Sequence, residues 1–130
     1  ALERGGESAD ERARAERAEA QWRLARVLYE RRASDTEIDR AIQEAETFGA
    51  ELRGYRLVPD AARRADVLLG EVRHLRGQLL TRKREFAEAA RAFSEAIDLR
   101  ARVAARAREL TAEQLTALTD PKELKRELDA

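Results

Sequence analysis

Apolar residues recur along this chain at three- and four-residue intervals, and only a few Gly, Pro and cap-like positions interrupt them. That spacing predicts helices almost throughout. A capping box, Ser8 followed by Glu11, opens a first helix that no Gly or Pro breaks before about Arg32. At 100° per residue Ala18, Trp22, Ala25 and Tyr29 form one apolar stripe and Leu24, Val27 and Leu28 a second. Glu16, Glu19, Arg23, Arg26 and Glu30 share the polar face. A helix apolar on two sides is expected to pack on two sides.

Ser34 and Glu37 repeat the capping pattern and open a second helix, with Ile38, Ala41, Ile42, Ala45, Phe48 and Leu52 in register and Gly54 as its stop. The connector Tyr55 to Pro59 leads into a third helix whose stripe is Ala61, Ala65, Leu68, Val72, Leu75 and Leu79, ending near Thr81 or Arg82. After Arg82-Lys83-Arg84 a fourth helix carries Phe86, Ala89, Ala90, Phe93, Ala96, Ile97 and Ala104, flanked by Leu99, Val103 and Leu110. Thr111 and Glu113 then lead a short segment with Leu115 and Leu118, and Asp120-Pro121 announces a last helix with Leu124 and Leu128. The predicted fold is all-α: two long antiparallel helical hairpins, 8–54 and 59–110, with short C-terminal capping helices over 111–130. The Gly-containing segment 1–7 is expected to be flexible.

Composition narrows this picture. Of 130 residues 43% are hydrophobic but only 5% aromatic, and 40% are charged. The core must therefore be thin and built by close helix contacts, within one domain. Twenty-six basic residues balance 26 acidic ones, so no overall field steers the chain toward nucleic acid or an anionic surface. There is no cysteine, which excludes disulfides and thiol chemistry. No apolar run reaches membrane-spanning length, so a soluble protein is expected. The chain contains no methionine and reads as a processed or excised product. Its 23 arginines against three lysines suit a GC-rich bacterial genome, and hence a bacterial cytoplasm or periplasm.

Candidate chemistry is sparse. Glu71 and His74 give a single Glu-x-x-His on helix three, the spacing of carboxylate-bridged di-metal bundles. A homodimer with Glu30 or Glu88 would have to complete the set. Both residues sit opposite the Leu68-Val72-Leu75-Leu79 stripe, which favours a solvated or groove-facing histidine and no cofactor. Ser8 and Ser34 are taken up as caps, Ser94 has no histidine in its own helix turn, and Gly70 and Gly77 lie within a helix and not in a phosphate-binding loop. No enzyme is expected. The basic clusters Arg82-Lys83-Arg84 and Arg100, Arg102, Arg106 and Arg108 are answered by interspersed acids and lack exposed aromatics, so nucleic acid is not favoured.

The two hairpins read as copies of one unit, about 48 to 50 residues apart. Trp22, Ala25 and Tyr29 align with Val72, Leu75 and Leu79, and Ile38, Ala41, Ala45 and Phe48 with Phe86, Ala89, Phe93 and Ala96. The second hairpin resembles the tetratricopeptide repeat, over residues 70–100, through Phe86-x-x-Ala89-x-x-x-Phe93-x-x-Ala96-Ile97. That resemblance implies a scaffold or protein–protein interaction module with a concave groove lined by the first helix of each hairpin. On this alignment the groove consists of Leu24, Val27 and Arg31 from helix one and Gly70, Arg73, His74, Gly77 and Thr81 from helix three. It would have a glycine floor and an arginine rim suited to a partner helix or a peptide with acidic flanks. The alternative is a four-helix bundle forming a homo-oligomer through Leu24-Val27-Leu28 and Leu99-Val103-Leu110. The chain's own C-terminal segment, through Leu115, Leu118, Leu124 and Leu128, is the other candidate to fill the groove.

Overall fold

The computed structural model describes residues 2–118, and side chains from Ala9 to Glu109. Four helices follow one another: α1 (Leu2–Glu30), α2 (Asp35–Leu52), α3 (Ala61–Arg82) and α4 (Phe86–Leu118), with no strand among the described residues. The predicted all-α pair of hairpins is the observed fold.

The element boundaries show which local signals prevailed. Ser34 caps α2 as expected, its hydroxyl accepting the Glu37 N–H at 3.2 Å. Ser8 does not cap α1, which begins six residues earlier and runs through Gly5 and Gly6. Glu11 instead reaches the connector between the hairpins and accepts the backbone N–H of Leu57 at 2.7 Å. Gly54 takes no left-handed turn; α2 ends at Leu52 with Arg53 still helical. α4 passes through Thr111 without a break, because no Gly or Pro intervenes between Phe86 and Leu118. The Asp120-Pro121 cap, Leu124 and Leu128 lie outside the described residues.

The core is an alanine-rich seam. Ala18 and Ala25 of α1, Ile38, Ala41, Ile42 and Ala45 of α2, and Leu68, Val72, Leu75 and Leu79 of α3 form one buried cluster, with Trp22, Leu28, Tyr29 and Phe48 packed on its margin. A second cluster at the other end joins Ala15, Leu52, Val58, Ala61 and Ala65, so Val58 anchors the connector. A third, Leu80, Ala89 and Ala92 with Phe93, holds α4 to α3. Small side chains let the backbones approach, and the burial of each branched residue adds about 1.5–3 kcal/mol.

Packing is sequential. α1 packs on α2, α2 on α3 and α3 on α4, with a lighter contact of α1 on α3. α4 makes no close backbone approach to α1 or α2, so the four helices form an open row. A closed four-helix bundle would need the missing α1–α4 contact.

Candidate functional site

The face of α3 predicted to floor a groove is covered by α4. Gly70 and Gly77 are both buried. A Cβ built on Gly70 would stand 3.7 Å from Leu99 Cβ, and one on Gly77 would stand 2.7 Å from Phe93 Cε1. The two glycines are where α4 crosses. His74, half-buried, meets the Phe93 ring edge-on at 5.3 Å between centroids. Arg73 bridges both neighbours, to Glu46 of α2 at 3.3 Å and Glu95 of α4 at 3.2 Å. Thr81 is exposed and its hydroxyl donates to the Gly77 carbonyl at 2.8 Å. Leu24, Val27 and Arg31 are exposed on α1, which makes no close approach to α4. The eight residues expected to share one groove are thus divided between a helix–helix contact and a separate outer face.

The alignment of the hairpins was the source of that error. Arg32 and Arg84 both adopt left-handed backbone, φ 57° and 62°, a separation of 52 positions. In each turn the next residue's N–H reaches back to a leucine carbonyl: Ala33 to Leu28 and Glu85 to Leu80. Matched through these turns, Gly70 and Gly77 correspond to Ala18 and Ala25, two of the three fully buried alanines of α1. Gly70 and Gly77 face α4 of their own hairpin, and Ala18 and Ala25 lie in the buried cluster that joins α1, α2 and α3. Matching Trp22 to Val72 slips the register by two residues and turns the wheel of α3 by about 200°, more than half a turn.

The concavity lies between α1 and α3. A cleft of about 390 Å³ is lined by Glu19, Trp22 and Arg23 of α1 and by Arg63, Arg64, Val67, Leu68 and Glu71 of α3. Trp22 is half-buried and Val67 exposed, giving the cleft an apolar floor and one apolar wall. Both acids are already engaged: Glu19 accepts from Arg64 at 2.7 Å, and Glu71 pairs with Arg100 at 3.5 Å. Among the described residues Arg23 and Arg63 have no ion-pair partner, so the cleft's uncompensated charge is positive. In the sequence Trp22 belongs to the apolar stripe of α1, and nothing signals Val67, which is one exposed valine beside a leucine run.

Charged networks hold the two hairpins in register around this cleft. Arg76 takes Glu46 at 2.6 Å and Asp39 at 3.2 Å, both from α2. Burial alone would lower the Arg76 pKa, but the hydrogen bond and charge of Glu46, then those of Asp39, outweigh it and hold the guanidinium above its ordinary value. Arg82 pairs with Asp35 and lies over the Tyr29 ring, 5.3 Å from its centroid. Asp66 is the one buried charged residue among those described. It pairs with Arg53 at the end of α2 and lies 3.8 Å from Arg102 of α4. Among the described residues no group of three or more His, Cys, Asp and Glu side chains could hold a metal ion, and no helix is long and apolar enough to cross a membrane.

No protein-family model, curated protein or solved structure matches this chain.

Proposed function

We propose that this chain is a non-enzymatic interaction module, tetratricopeptide-like in its stacking, that takes a peptide or partner helix in the cleft between α1 and α3. The observation that carries the reading is the cleft itself: Trp22, Val67 and Leu68 supply apolar surface, and Arg23 and Arg63 stand at it without an ion-pair partner among the described residues. An apolar anchor between acidic residues satisfies both features, the anchor displacing water from the indole and the carboxylates meeting the two guanidinium groups. Sequential packing supports the tetratricopeptide-like reading, as do the glycines where α3 meets α4. Nothing in the cleft is arranged for chemistry, since His74 lies against Phe93 on another face of α3.

Selection from a random peptide display library against the immobilised chain tests this. The expected consensus is a large apolar residue with Asp or Glu on both sides, retained at low salt and released as ionic strength rises. A consensus rich in Lys or Arg, or one selected equally well by a Val67→Glu variant, would contradict the proposal.

A further inference from the structure

The joint between the hairpins and the two ends of the row can be compared position by position. α2 begins at Asp35 and α4 at Phe86, an offset of 51. With that offset the inward residues of α2, Ile38, Ala41, Ala45, Phe48 and Leu52, fall on Ala89, Ala92, Ala96, Leu99 and Val103, all buried or half-buried. The correspondence is therefore structural as well as numerical.

At the internal joint the contact is ionic. Asp39 and Glu46 on the outer row of α2 both engage Arg76 of α3. On α4 the positions of Asp39 and Glu46 are held by Ala90 and Ile97, and Phe86 stands where α2 has Asp35. Phe86 and Ile97 are 63% and 64% exposed. On α1 the position of Arg76, 52 residues earlier, is Leu24, and that of Leu79 is Val27. They are 46% and 40% exposed. The positions of the Arg76 triad are thus apolar at both ends of the row, Ala90 and Ile97 on α4 and Leu24 on α1, while Arg82, which pairs with Asp35 at the joint, falls on Glu30.

We propose that copies of this chain associate head to tail, the α4 row Phe86, Ala90 and Ile97 of one copy seating on Leu24 and Val27 of the next, as α2 seats on α3 within the chain. The paired replacement argues for this occupant. Leu24 brings no charge that would be stranded against Ala90 and Ile97, whereas an Arg76-like residue there would be buried unpaired. An apolar row this exposed is itself unusual on a surface with so many charges. Because the two surfaces differ, the contact is heterologous and adds copies without closing into a symmetric dimer. The contact adjoins the α1–α3 cleft at Arg23, which holds the position of the joint's Leu75, but the cleft residues of α3 lie outside it, so Val67→Glu separates it from the peptide-binding proposal.

Sedimentation of the full chain provides the test. The weight-average mass should climb with concentration and show no plateau at twice the monomer mass. Leu24→Glu and Ile97→Glu should each weaken self-association by on the order of tenfold or more, the effect of about 1.4 kcal/mol. Mixed in equal amounts, they should recover a one-to-one heterodimer, since one variant keeps an intact α4 row and the other an intact α1 row. A wild type that stays monomeric at every concentration would overturn the proposal, and so would a mixture that does not pair. Loss of association by Ile97→Glu with a dimer preserved in Leu24→Glu would instead show α4 pairing with α4. Both side chains are exposed, so helicity should match wild type. If either glutamate lowers it, Leu24→Gln and Ile97→Gln should give the same pattern. Val67→Glu should associate like wild type.

Discussion

The ring of Phe93 occupies the space that a side chain at Gly77 would need: a Cβ there would lie 2.7–2.8 Å from three of its carbons. Gly70, two turns earlier on α3, faces α4 with ordinary 3.7 Å contacts. The two glycines lie on one helix face but are under different constraints, which separates helix propensity from packing.

Gly77→Ala should lower stability by about 1–2 kcal/mol, because overpacking at about 1–3 kcal/mol outweighs the roughly 1 kcal/mol that alanine gains in a helix. Gly70→Ala should raise stability by up to about 1 kcal/mol. Urea denaturation of both variants checks this. Combining Gly77→Ala with Phe93→Leu should recover part of the loss, and equal effects of the two alanines would refute the packing account.

Arg76 and Glu46 should be coupled. Each substitution to glutamine removes one side of a half-buried ion pair, so a double-mutant cycle should return a coupling of about 1 kcal/mol, within the usual range of roughly 0.5–3. The arginine stays charged across the accessible pH range, since its pKa is raised. A coupling indistinguishable from zero would mean that this pair does not help to align the hairpins.

Asp66→Asn should cost about 1–2 kcal/mol, at the lower end for a charged hydrogen bond because Arg53 and Arg102 are themselves well exposed. Arg102→Gln should cost less, since Arg53 remains on the carboxylate. Hydrogen exchange should locate the Asp66→Asn effect where the end of α2, α3 and α4 meet. Uniform loss across all four helices, with none concentrated there, would count against a local clamp.

Much of the fold was legible because its signals are local. The stripes Ile38-Ala41-Ile42-Ala45 and Leu68-Val72-Leu75-Leu79 repeat at helical spacing and are buried as predicted. Ser34 capped α2 because its hydroxyl needs only a neighbour three residues on. The cleft was not legible, because it depends on how α3 is rotated between α2 and α4. Gly70 and Gly77 signalled a close approach, but not by which helix; only the turn geometry at Arg32 and Arg84 fixes that. Gly49 shows the same ambiguity. It lies inside α2 beneath Leu68 and Leu69, where a Cβ would come within 2.9–3.0 Å, yet nothing in the sequence pairs it with them. Phe86 and Ile97 read as core residues from spacing alone, and are exposed because the open row ends at α4.

Trp22 is the only tryptophan and lines the α1–α3 cleft, so its emission reports directly on the central claim. An apolar peptide with acidic flanks, titrated into the chain, should change Trp22 emission saturably. Its affinity should fall on the order of tenfold or more in Val67→Glu and with rising salt. Saturable binding that leaves the Trp22 emission unchanged and is indifferent to Val67→Glu would place the binding face elsewhere and contradict the account.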